Sequence, residues 1–149
     1  MHKKFKQGVY CPINKEKYIG KDNPRYLSSW ELKLFSFCDN SPNIVKWCSE
    51  KVVIPYLDTL TNKTRNYYVD MLFSMRTEKG IVNYLVEVKP FRETQPPKIS
   101  KKKKPSTMLY EQMTWQKNQD KWKAAKKVAE QNNLKFIILT ENELGNFEN

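Results

Sequence analysis

Histidine is almost missing from this sequence: one residue in 149, at His2. That excludes nucleophilic triads built on an imidazole and metal centres built from several histidines. Carboxylates, lysines and thiols are left to carry any chemistry. Cysteine is scarce as well. Cys11, Cys38 and Cys48 are odd in number and lack the short paired spacing of a zinc site, so the expectation is a cytosolic protein with reduced thiols. No run approaches the ~20 apolar residues that cross a bilayer, so no membrane partner is expected. Met1 opens "MHKKFKQG", without the apolar core of a signal peptide. Acidic charge is also short: 16 aspartates and glutamates face 27 lysines and arginines, a formal net charge of +11. Such a balance points to an anionic partner, with nucleic acid ahead of a membrane surface.

What is present reads as one domain over 1–149. Residues 1–26 are polar, lysine-rich and broken by Gly8, Pro12, Gly20 and Pro24, an irregular N-terminal arm held down through Tyr10 and Tyr18. Ser28 or Ser29 caps a helix with Glu31 in its first turn, and Asn40, Ser41 and Pro42 end it. Strands are expected at 51–58, 66–75 and 81–89, joined by turns at 61–63 and 78–80 into an antiparallel meander. Residues 91–106 are a Pro/Lys-rich loop. A long helix follows over 107–132, with Met108, Trp115, Trp122 and Ala129 in one apolar stripe and Asn133 as its stop. The strand 135–141 after that helix pairs in parallel with a neighbour. The fold class is α/β: a small mixed sheet, three antiparallel strands plus one after the long helix, flanked by helices.

Charged residues then appear where a core prefers apolar ones. Asp70 is embedded in Tyr67-Tyr68-Val69-Asp70-Met71-Leu72-Phe73, and Glu87 in Leu85-Val86-Glu87-Val88. Strand periodicity puts Glu87 and Lys89 on one face, with Val86 and Val88 on the other. Pairing through the 78–80 turn would bring Asp70 beside Glu87, and Glu31 can approach from a covering helix. Two carboxylates and a lysine are the parts of metal-assisted phosphodiester hydrolysis, in which magnesium takes carboxylate, phosphate and water oxygens. The lysine orients or deprotonates water and stabilises charge. Acid-x-Lys alone carries little: chance gives roughly two or three such triplets in a chain of this composition. Two occur, Glu31-x-Lys33 and Glu87-x-Lys89. The competing reading is an ordinary ion pair on a half-solvated sheet.

Eight ordered blocks then carry a family resemblance: "GVYCPINKEKYIG" (8–20), "SSWE" (28–31), "WCSEKVVIPY" (47–56), "YYVDM" (67–71), "VEVKP" (86–90), "ETQPP" (93–97), "NQDKWKAA" (118–125) and "KFIILTE" (135–141). In these the chain resembles the head-completion nucleases of T-even-like tailed phages, within the PD-(D/E)xK nuclease superfamily. The resemblance implies a restriction-endonuclease-like core. It also implies Asp70 and Glu87 as metal ligands, Lys89 as catalytic lysine, and Glu31 as a further helix-borne acid at the metal. Val69 stands where the superfamily pattern has proline. The cofactor implied is Mg2+, with Mn2+ as substitute. The activity implied is DNA cleavage during head completion and head-tail joining, in the host cytoplasm or the virion neck, with phage head and neck proteins as partners.

Other features keep two readings each. Lys98, Lys101, Lys102, Lys103 and Lys104 either track a DNA backbone or form a solvated loop. Gln95 is an accessory candidate for phosphate or water. Asn118 falls on the apolar stripe, where a polar side chain needs a partner: either the active site or a core hydrogen bond. Lys121, Lys123, Lys126 and Lys127 read as a solvated helical face, or as one electropositive toward DNA. Two alternatives to the nuclease of head completion are a non-catalytic DNA-binding neck protein on the same fold and a recombination- or transposition-type endonuclease.

Overall fold

The computed structural model describes residues 7–145, so His2 and the first part of the N-terminal arm lie outside the described residues. In chain order the elements are β1 (Gly8–Val9), β2 (Arg25–Tyr26), α1 (Ser29–Asn40), β3 (Ile44–Ser49), β4 (Val53–Asp58), β5 (Lys63–Tyr68), β6 (Met71–Thr77), β7 (Gly80–Val88), a single 3-10 turn (Phe91–Thr94), α2 (Pro105–Gln131), β8 (Lys135–Leu139) and α3 (Glu141–Leu144). A four-stranded sheet in the order β3-β6-β7-β8 forms the centre. Its first three strands are antiparallel and β8 joins β7 in parallel, so the expected mixed sheet is present.

Two strand expectations are corrected. The 51–58 segment is a strand, but β4 pairs with β5 in a separate hairpin and never joins the sheet. The outer strand of the sheet is instead β3, which sequence periodicity missed. A register shift between Ile44 and Lys46 breaks its alternation, so its apolar residues do not fall at period two. The long apolar run 66–75 is also two strands rather than one. Its chain turns out of the hairpin at Val69 and Asp70: the Val69 N–H donates to Val52 and the Asp70 carbonyl accepts from Glu50. The long helix begins at Pro105 rather than Thr107, because proline fits the first helical position, where no N–H is needed. Its end is as read: Asn133 takes φ 56°, and the Leu134 N–H returns to the Ala129 carbonyl.

Each face of the sheet is covered by one helix. On α1, capped by the Ser28 hydroxyl, Leu34, Phe35 and Cys38 pack on Met71, Phe73 and Val86. On α2, Trp122, Ala125 and Ala129 pack on Leu85 and on Ile54 and Val69 from the hairpin region. Truncating Leu34, which is fully buried, costs about 2–5 kcal/mol by lost burial plus a cavity. Strand alternation therefore assigns Val86 to the α1 face and Leu85 and Glu87 to the α2 face. The first half of α2 stands clear of this core. Leu109, Tyr110 and Met113 are exposed there, although the apolar stripe runs through Met108 and Trp115.

The arm lies against α1 and β3. Tyr10 and Tyr18 set their rings 6.1 and 4.7 Å from Trp47. Asp39, with no exposed surface, accepts from the Tyr10 hydroxyl at 2.6 Å and from the N–H groups of Ile13 and Asn14 at 2.8 and 2.9 Å.

Candidate active site

Register decides what meets at the centre. Met71 is opposite Val86 across β6 and β7, which puts Asp70, one residue before β6, beside Glu87 near the end of β7. Asp70 Oδ2 accepts the Val88 N–H at 2.7 Å, fixing the carboxylate at the mouth of the strand pair. Glu87 is buried, and its Oε1 lies 3.6 Å from Lys89 Nζ. Its other oxygen accepts from the Tyr67 hydroxyl, which comes from β5 of the hairpin. Pro90 follows and lifts the chain into the 3-10 turn, just beyond the pair.

The electrostatics follow from this crowding. Burial, the Glu87 charge and, further off, the Glu31 charge push the Asp70 carboxyl well up from the ordinary aspartate value, while the Val88 N–H and Lys89 oppose them. Burial pushes Glu87 up too, against Tyr67, Lys89 and Lys121, which favour its charged form. Burial beside Glu87 raises the Tyr67 hydroxyl, so it stays protonated and donates. Two half-desolvated carboxylates that repel each other make a site that gains by taking up a cation.

Residues 41–141 match the model of the TnsA-like endonuclease N-terminal family. The chain is 39% identical over 144 residues to the head completion nuclease of Enterobacteria phage T4, covering 92% of each protein. The chain belongs to the head completion nuclease family. Its core is an endonuclease domain of restriction-endonuclease-like fold, as the element order implied.

The endonuclease match spans Asp70, Glu87 and Lys89 and begins after Glu31. The place of Glu31 in the fold differs as well. It sits on α1, which covers the opposite face from Glu87, and its Oε2 accepts the Leu27 N–H at 2.9 Å as part of the helix cap. Burial, then the Glu50 and Glu87 charges, raise its carboxyl, so it borders the pair across the sheet edge. Among the described residues no three acidic, cysteine or histidine side chains are grouped closely enough to hold a metal by themselves. Asp70 and Glu87 are the two carboxylates that could hold a metal here, a donor set compatible with magnesium, which commonly takes one or two carboxylates from protein.

The remaining sequence candidates scatter. Gln95 is exposed and its amide donates to Thr94. Asn118 is buried on α2, as is Trp122, whose indole N–H, near the Tyr67 hydroxyl, meets no acceptor in hydrogen-bond geometry among the described residues. Lys98, Lys101, Lys102 and Lys104 are exposed, while Lys103 is tied to Glu111 at 2.8 Å. Three residues near the pair escaped sequence reading. Tyr67 holds Glu87. Glu50 takes a left-handed φ of 54°, rare for a side-chain-bearing residue, where its N–H bonds Asp70. Lys121, expected on a solvated face, is half-buried with its ammonium 5.6 Å from the Tyr67 ring centre. Its signal was its spacing, three residues after the misplaced polar Asn118 and four before Ala125.

Proposed function

We propose that this family member is a metal-dependent DNA endonuclease that hydrolyses phosphodiesters of packaged or protruding DNA during phage head completion and head-tail joining. The observation that carries the reading is Asp70 beside Glu87 across the β6–β7 pair, with Lys89 3.6 Å from Glu87. The family relation supports nuclease chemistry, and the net charge of +11 suits a polyanionic substrate. Asp70 and Glu87 would hold Mg2+ or Mn2+, which when bound supplies a more acidic water and offsets phosphate charge. The chain's own residues do the rest. Tyr67 and Val88 orient the two carboxylates so that little reorganisation is needed on binding. Lys89, a quarter exposed, presents its ammonium toward solvent beside Glu87, where a phosphate would lie. Glu31 borders the pair as a supporting acid.

The name of the phage T4 relative supports placing this activity in head completion. On this reading the protein works in the host cytoplasm or the virion neck, with head and neck proteins as partners. The test is cleavage of linear, circular and branched DNA with magnesium, manganese or chelator. Wild type is expected to cut only with metal. Asp70→Asn and Lys89→Ala are each expected to lower the rate by at least about 10²-fold while remaining folded. Undiminished cutting by both variants would overturn the site. Salt-sensitive binding with no cutting by wild type would favour the non-catalytic neck protein, and a marked preference for one DNA structure or sequence the recombination-type enzyme.

A further inference from the structure

Lys121 has no role in the chemistry above, yet the fold brings it to the site. It sits on α2, the helix that covers the Glu87 face of the sheet. Its ammonium lies over the Tyr67 ring, whose hydroxyl donates to Glu87. Glu87, Lys89 and Asp70 are all near enough to act on its charge. Lys117, Lys123, Lys126 and Lys127 on the same helix are exposed, and Lys121 is not. Among the described residues it makes no ion pair and no hydrogen bond, so it is not a fixed counter-ion for Glu87. Burial pushes its pKa below the ordinary lysine value, against the pull of Glu87. The Tyr67 face attracts the ammonium but gives it no hydrogen-bond acceptor, so part of the cost of its burial is left for an arriving anion to offset.

We propose that Lys121 is a second catalytic lysine, delivered by α2 to the phosphate of bound DNA, so that the strand's Lys89 and the helix's Lys121 approach the same phosphate from two elements. This rests on the nuclease reading. Lys89 is shared with Glu87, so Lys121 adds a second cation to meet charge that develops on the phosphate. Its aromatic seat keeps the nitrogen near the pair without an ion pair to either carboxylate.

The test compares wild type, Lys121→Met, Lys121→Arg and the exposed control Lys126→Met. Cleavage rates are measured with magnesium, and the salt dependence of DNA binding is measured in chelator. Lys121→Met is expected to lower kcat by about 10²-fold. In chelator it reduces the slope of log affinity against log salt by about one phosphate. Its melting temperature stays at or above wild type, and Lys121→Arg recovers the binding slope. Lys126→Met leaves kcat unchanged. Wild-type kcat and salt slope in Lys121→Met overturn the proposal, as does a loss of activity that only follows a lower melting temperature. Failure of wild type itself to cut sinks the nuclease reading instead, and the binding slope in chelator still decides whether Lys121 meets phosphate.

Discussion

Asp70 works against the stability of the fold that holds it. Its carboxyl is pushed up by burial and by Glu87, so its ionised form opposes folding at neutral pH. A carboxylate whose folded pKa is raised costs nothing below its unfolded value and costs most above its folded one. Asp70→Asn keeps an oxygen for the Val88 N–H and removes the repulsion. In metal-free protein near pH 7 its melting temperature is therefore expected to rise by roughly 2–6 °C, and the gain is expected to vanish near pH 4. Calorimetry in chelator checks this, and an unchanged or lower value at pH 7 contradicts it. At this scale the sequence was informative because charges inside an apolar run are visible as exceptions. Asp70, Glu87 and Lys89 stand out that way. Lys121 and Tyr67 did not, because a lysine on a helix and a tyrosine on a strand break no local rule. Their importance comes from α2 and β5 meeting over Glu87.

The elements show a second carboxylate with the opposite sign. Burial alone would raise Asp39, but hydrogen bonds from Tyr10, Ile13 and Asn14 outweigh it and hold the group below its ordinary 3.8. Its stabilisation is complete above the unfolded pKa and lost as pH falls through the lower folded one. The attachment of the 7–26 arm to α1 is thus expected to weaken below about pH 4. Limited proteolysis across that range checks it, and Asp39→Asn should flatten the pH response. Asp39→Ala leaves three donors without their acceptor and is expected to cost about 2–4 kcal/mol in denaturant unfolding. None of this was legible in advance, since Asp39 sits at the polar end of a helix, where an exposed acid is the ordinary expectation. The same limit hid β3. Periodicity finds long regular elements such as α2 and β7, and a six-residue strand with a register shift presents no period to find.

For the whole molecule, the excess of positive charge predicts DNA binding that weakens steeply with salt. The 98–104 segment offers a graded test. Replacing exposed Lys101, Lys102 and Lys104 by serine is expected to reduce the salt slope by up to about three phosphates. Lys103→Ser should change it less, because that ammonium already serves Glu111. Equal effects from all four would mean that the loop rearranges on DNA. The architecture as a whole was readable from the order of helices, turns and strands, together with the eight family blocks. The hairpin was not, because β4 and β5 look like sheet strands until their register shows that they pair only with each other.

That hairpin leaves the sheet at Glu50 and returns at Asp70, and these two residues are hydrogen-bonded at its base. Tyr67, near its end, reaches across to Glu87. Tyr67 therefore belongs to the ribbon and Asp70 to its junction with β6, whereas Glu87 and Lys89 belong to the sheet and its exit. The proposed site is complete only while these two parts stay in register. Apart from Tyr67 the outer strand of the ribbon is exposed, so the ribbon is expected to open before the sheet does. On warming, cutting should thus cease at a lower temperature than the one at which the sheet melts, as though the enzyme carried a fuse.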